Sequence, residues 1–236
     1  MNKQSNVYTI IYIVVLVVVV GAALAMTAMS LKSRQQDNAD ADKMRQILAS
    51  VRITPEKSEV IQEFGKYITE QFIVNANGER VEGDAFKVSV AEQYKKADVA
   101  DCTMPVYKCT LADGSVKYIL AAYGGGLWGP IWGYVSVDSD GSTIYGAFFD
   151  HQGETPGLGA EIAKPAFSNQ FEGKQLFKDG KFVPIEVIKK GQQPKDANAD
   201  YVDGISGGTI TSQGVSAMLN KCLKPYEAFL KNLSNE

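Results

Sequence analysis

Histidine is all but missing from this chain. His151 is the only one among 236 residues, so multi-histidine metal centres have no ligands to draw on and catalytic triads are set aside. Cysteine is scarce as well. Cys102, Cys109 and Cys222 include no CxxC and no Cys/His pairing, which leaves no metal-binding constellation. Cys102 and Cys109 flank Pro105 and are candidates for a disulfide in an exported domain, whereas Cys222 falls on the apolar face of a helix and reads as core. No basic block occurs. With a formal charge of −3 and a pI near 5.4, the composition offers nucleic acid no electrostatic footprint. Internal repeats and low-complexity tracts are absent too.

One stretch lacks charge altogether. From Val7 to Leu31 no charged side chain interrupts the run, and Ile10 to Val20 is almost wholly aliphatic. About 25 helical residues at ~1.5 Å each reach roughly 37 Å, enough to cross a hydrocarbon layer of ~30 Å. In lipid the backbone must bond within its own segment, so even Val- and Ile-rich sequence becomes helical there. Ala23-Leu24-Ala25 has the small residues of a signal-peptide cleavage site, but the apolar run continues to Leu31 and only Lys3 marks a basic leader. These features favour an uncleaved anchor. Gly21, Ala22, Ala23 and Ala25 are small enough for close packing against another membrane helix. Lys3 on one side and Lys32 with Arg34 on the other do not fix orientation.

The remaining chain is long enough for one globular domain. The pattern divides it into an anchor over residues 1–33, a helical connector over 34–70 and a domain over 71–236. Met44, Ile47, Leu48 and Val51 have helical spacing. Thr54-Pro55 reads as the N-cap and first residue of a second helix, with Val60, Ile61 and Phe64 on one face. Phe72 to Val74, Asn77-Gly78 and Val81 predict a strand and turn, and Val90 to Ala97 a short helix. Two hairpins follow, 106–111 with 116–122 around Asp113-Gly114, and 131–137 with 143–149 around Asp140-Gly141. Pro165 to Phe171 reads as a short helix and Phe182 to Ile188 as a strand. A long helix then carries Val215, Met218, Leu219, Cys222, Leu223, Tyr226, Phe229, Leu230 and Leu233 on one face. The expected class is α+β, a mostly antiparallel sheet with flanking helices behind one transmembrane helix.

Three loops hold candidate chemistry. The first, Asp203-Gly204-Ile205-Ser206-Gly207-Gly208-Thr209, places a hydroxyl among small residues just before the long helix. Gly207 and Gly208 remove obstructing side chains. Thr211 or Ser212 is a candidate N-cap, and Asp203 can hold the loop by an Asx-type bond or serve an enzyme that modifies the Thr209 hydroxyl. A phosphate beside a helix N-terminus is favoured by its free N–H donors. The second loop, Gly124 to Gly133, offers flat apolar surface in Leu127 and Trp128, yet it lacks the order of a dinucleotide fingerprint or a P-loop. The third, Glu154-Thr155-Pro156-Gly157-Leu158-Gly159, is stiff and sets acceptors and donors beside apolar surface. Taken singly, each also reads as an ordinary turn.

The first loop resembles the flavinylation motif, in which an acidic residue, Ser, Gly and a small residue lead to a Thr that carries FMN through a phosphoester. Here Gly208 stands where Ala is usual. Together with the Gly-Leu-Trp loop, the Glu-Thr-Pro-Gly-Leu-Gly loop, and Phe167 with Gln170-Phe171, the whole chain resembles the C subunit of the Na+-translocating NADH:quinone reductase. A sister family, the G subunit of the Rnf electron-transport complex, shares two of these motifs.

The resemblance implies an electron-carrying subunit rather than an enzyme that turns over alone, with no catalytic residues of its own. It implies FMN on Thr209, a ring bounded by Leu127, Trp128, Glu154, Thr155, Leu158 and Gly159, and a loop made by Asp203, Ser206, Gly207 and Gly208. It also implies partner membrane subunits, a flavin transferase during maturation, contact with lipid, and an FMN domain on the periplasmic side of a bacterial inner membrane. Two readings of other classes stay open at this point: an anchored module that binds free flavin without electron transfer, and an assembly subunit whose site is vestigial.

Overall fold

Alternation of apolar and polar residues at period two, punctuated by turn signals, builds the centre of the domain. In the computed structural model, which describes residues 6–234, strands β1 (Ile68–Asn75), β2 (Arg80–Val81), β3 (Thr103–Thr110), β4 (Val116–Gly125), β5 (Pro130–Asp138) and β6 (Ile144–His151) form one six-stranded sheet. The order is β2-β1-β3-β4-β5-β6 and every pairing is antiparallel. The tight turn between β3 and β4 needs a left-handed residue, and Gly114 supplies it at φ 82°. Lys3 and the rest of residues 1–5 lie outside the described residues.

Helix α1 runs unbroken from Asn6 to Ser50 and is the one described helix long and apolar enough to cross a membrane. The chain divides into two compact units, Met1–Lys43 and Met44–Glu236. Within the second unit, the last turns of α1 bring Ile47 and Leu48 into the core, followed by Val51. Residues 44–51 therefore do more than connect. Gln46 Oε1 accepts from Trp132 Nε1 at 3.0 Å, and the Ser136 hydroxyl donates to the Ser50 carbonyl at 2.7 Å.

Several expectations change. Thr54-Pro55 starts no helix. α2 spans Val60–Tyr67 and buries Val60 and Phe64, one turn apart, while Ile61 is exposed rather than on their face. Short α3 covers Val90–Lys95. After β6 come a 3-10 turn over Gly159–Ala163 and α4 at Pro165–Ser168. The strand expected over 182–188 is two pieces. β7 (Phe177–Lys178) pairs with β8 (Lys181–Phe182), and β9 (Glu186–Ile188) pairs in parallel with β10 (Tyr201–Asp203). Pro184 separates them because it has no N–H to offer a ladder. The sequence pattern carries no sign of β10.

The long last helix is also two helices. α5 (Thr209–Leu223) and α6 (Glu227–Leu233) are joined by a 3-10 turn at Lys224–Tyr226, where Pro225 cannot continue the α-helical bonding. The apolar register survives the break, so Tyr226, Phe229 and Leu230 stay buried. Tyr226 fills a gap in the sheet. The register between β3 and β4 stops at Val106 with Leu120, because Pro105 lacks the N–H for the next rung. The Tyr226 hydroxyl takes that place, accepting from Ala121 N–H at 3.1 Å and lying 2.9 Å from the Pro105 carbonyl and 3.3 Å from that of Ala121.

The cysteines are unpaired, which corrects the disulfide considered for Cys102 and Cys109. Cys102 immediately precedes β3 and Cys109 lies near its far end, roughly 23 Å away at about 3.3 Å per residue, and they enter different apolar clusters on opposite faces. Cys222 is a core residue, as expected. Burial pushes the thiols of Cys109 and Cys222 up to about 11.

Candidate functional site

The three loops singled out in sequence converge at the N-terminal end of α5. The helix starts there because Gly208 ends the preceding turn and supplies the carbonyl for its first bond, Ser212 N–H to Gly208 O at 2.9 Å. Thr209 is its first residue and is exposed, as are Ser206 and Gly207. The N–H groups of Thr209, Ile210 and Thr211 precede that first bond, so they have no partner from within the helix. Gly207 holds φ at 75°, and a Cβ on it would stand 2.6 Å from Leu158 Cδ2. A Cβ on the buried Gly208 would stand 3.2 Å from the Gly159 nitrogen. The Ser-Gly-Gly turn thus lies directly against the 154–159 loop.

Neither Thr211 nor Ser212 caps the helix, contrary to expectation. Both sit inside its first turn and are buried. Ser212 Oγ accepts from Ile205 N–H at 2.9 Å, and the Thr211 hydroxyl donates to Glu154 Oε2 at 2.5 Å. The Asx-type bond considered for Asp203 is replaced by a backbone clamp. At the end of β10 its N–H donates to Gln170 Oε1 at 2.9 Å, and its carbonyl accepts from Gln170 Nε2 at 3.2 Å. Beneath this clamp Phe149, Phe167 and Phe171 pack with ring centroids 5.0 to 5.6 Å apart.

Leu127 and Trp128 lie on the turn between β4 and β5, closed by Gly126 N–H to Gly129 O at 2.7 Å. Both are exposed, Trp128 at 69%. That degree of exposure removes Trp128 from the core, whereas Trp132 on β5 is half-buried. Leu158 and Ile210 add exposed apolar surface on the other two loops, and Thr155 is exposed beside them. Glu154 and Gly159 are the buried members of their loop. The Glu154 carboxylate accepts from Trp128 N–H at 2.8 Å as well as from Thr211. Sequence reasoning placed Glu154 at a ligand edge and missed that it joins all three loops. Gln170 and Thr211 were visible as residues but not in these roles, since only the tertiary register shows what they meet.

An exposed hydroxyl on a helix N-terminus, cleared by glycine and flanked by unpartnered apolar side chains, suits a ligand with an anionic tail and a flat ring. Residues 126–224 match the family model of the FMN-binding domain, so the class is a flavoprotein domain behind an apolar helix. The C subunit of the Na(+)-translocating NADH-quinone reductase from Vibrio anguillarum is 33% identical over 91% of this chain and 89% of its own. The corresponding Yersinia pestis protein is 32% identical over 98% and 94%. Among solved structures, the C subunit from Parabacteroides distasonis shares 52% identity with a TM-score of 0.79, over 85% of this chain and 96% of that one. Shewanella oneidensis NqrC shares 26% with a TM-score of 0.67, over 84% and 99%. The chain belongs to the C-subunit family of the Na(+)-translocating NADH-quinone reductase.

Proposed function

We propose that this chain carries FMN covalently on Thr209 and relays electrons within a membrane NADH:quinone reductase that moves sodium. The observation that supports it most is Thr209 itself. It is an exposed hydroxyl at the first position of a 15-residue helix, between glycines and exposed apolar side chains. The residues fit an attached phosphate: the hydroxyl oxygen would form the ester, and the first-turn N–H groups would face the anion. Leu127, Trp128 and Leu158 would bound the ring, with Thr155 at its polar edge. Ser206, Gly207 and Gly208 would keep the approach clear for a transferase that delivers an activated flavin phosphate. When bound, FMN supplies the redox chemistry, and the protein supplies position and electrostatics.

In this reading residues 1–33 tether the domain to a bacterial inner membrane and contact lipid and partner proteins, and the flavin domain faces the periplasm. Covalent attachment suits an exported carrier, because a dissociated flavin would be lost. Intact-mass measurement should find one FMN-sized increment, and denatured protein should fluoresce in a gel. Thr209→Ala should lose both while melting within about 0.5 kcal/mol of wild type, as expected of an exposed substitution. Fluorescence retained in Thr209→Ala would move the ester elsewhere. Domain digestion by protease added to intact spheroplasts tests the topology, and protection there would invert it.

A further inference from the structure

Thr211 lies two residues beyond Thr209 yet has the opposite environment: it is 1% exposed. A helical threonine often returns its hydroxyl bond to the carbonyl one turn back. Thr211 instead donates to Glu154 Oε2, on the loop after β6. Glu154 is itself buried, and its other oxygen takes the Trp128 N–H from the turn between β4 and β5. The Glu154 N–H donates to His151 Nδ1 at 3.2 Å, which fixes the base of the loop. A carboxylate withdrawn from water needs donors on its oxygens, and here each oxygen is supplied from a different segment.

Glycine makes room for the brace. A Cβ at Gly126 would stand 2.5 Å from Glu154 Oε1, and one at Gly159 would overlap both Glu154 Oε2 and Thr211 Oγ1. These bonds tie the three segments to one another through protein groups alone. Such organisation lowers the ordering cost when a ligand arrives.

We propose that Thr211 is a positioning residue of the flavin site. Through its hydroxyl it sets the Glu154 carboxylate, and through that carboxylate the backbone of Trp128. The apolar loop is thereby held at a fixed place relative to Thr209. The proposal rests on the reading of Thr209 and these loops as the flavin site.

The test uses the full chain in detergent. In a flavin-free Thr209→Ala background, Thr211→Val should speed hydrogen–deuterium exchange of the 126–131 segment several-fold and leave β1 to β3 unchanged. With Thr209 present, the same substitution should leave the flavin attached but shift its absorption bands and midpoint potential. Thr211→Ser, which keeps the hydroxyl, should restore exchange, bands and potential. If Thr211→Val loosens the whole domain, Glu154→Gln serves in its place and should give the same local signature. Unchanged exchange over 126–131 in the folded variant overturns the brace. Faster exchange with an unaltered spectrum and potential reduces Thr211 to a packing contact and overturns the positioning role. Both results leave the Thr209 reading intact, whereas wild-type chain without covalent flavin overturns that reading and this proposal together.

Discussion

Strand β4 sends Leu120 and Ala122 into one apolar cluster and Ile119 and Ala121 into another, and different parts of the chain cover the two. The first is closed by α5 and α6 through Val215, Met218, Leu219, Cys222 and Leu230. The second is closed by Ile47, Leu48 and Val51 from the end of α1 and by Phe64 and Ile68. The first face also sets the candidate site, since α5 begins at Thr209. Its packing relies on backbone contact. A Cβ at Gly124 would stand 2.7 Å from Met218 Cβ, and one at Gly214 would overlap the Gly125 carbonyl. The second face relies on side-chain bulk and holds none of the candidate residues. One sheet thus keeps two cores, one that aims a helix end and one that takes in residues 47–51.

Perturbing each face should separate these jobs. The largest stability effect belongs to the second face. Leu48→Ala removes a fully buried side chain and should cost about 2–5 kcal/mol in unfolding experiments, with FMN retained by the folded fraction. Selective loss of flavin with unchanged stability would erase the distinction. Gly214→Ala presses a methyl on the Gly125 carbonyl and should cost about 1–3 kcal/mol despite alanine's better helix propensity. Unlike Leu48→Ala, it should also alter the flavin spectrum, because it shifts the helix that bears Thr209.

Smaller changes sharpen the contrast further. Trp128→Ala should leave stability within about 0.5 kcal/mol, given its exposure, while changing the flavin spectrum or potential. An unmoved spectrum would remove Trp128 from the ring pocket. The smallest effect concerns Glu70 on β1, whose carboxyl is held below its ordinary value by a hydrogen bond from Lys108, with Arg80 adding to it. A lowered folded pKa stabilises above the unfolded value near 4.5 and loses that contribution as pH falls through the lower folded value. The melting temperatures of wild type and Glu70→Gln should therefore converge as pH falls below about 4.5. A gap that persists in acid would assign the effect to packing.

Much of this arrangement was legible from local patterns. Period-two alternation and the Asp-Gly turns gave the strands and hairpins, and the apolar run gave α1. The Thr209, Trp128 and Glu154 loops stood out by their small residues. Long-range facts were not legible. The division of the last helix at Pro225 was masked because the apolar spacing carries on through the break. β10 is three residues long and gains its definition from a parallel partner distant in sequence. Thr211 and Ser212 have the chemistry of caps, and only tertiary contacts with Glu154 and Ile205 decide otherwise. Cys102 and Cys109 looked pairable along the chain until the strand placed them on opposite faces.

Tyr226 bears on how the chain is made. The rung that Pro105 leaves open is filled by a residue 121 positions downstream. A nascent chain that has emerged as far as β6 has all six strands of the sheet but still exposes an unmet carbonyl and amide at its centre. The sheet can be completed only after translation has passed residue 226. A ribosome stalled before Tyr226 would therefore leave a product with every strand of this sheet and no finished sheet.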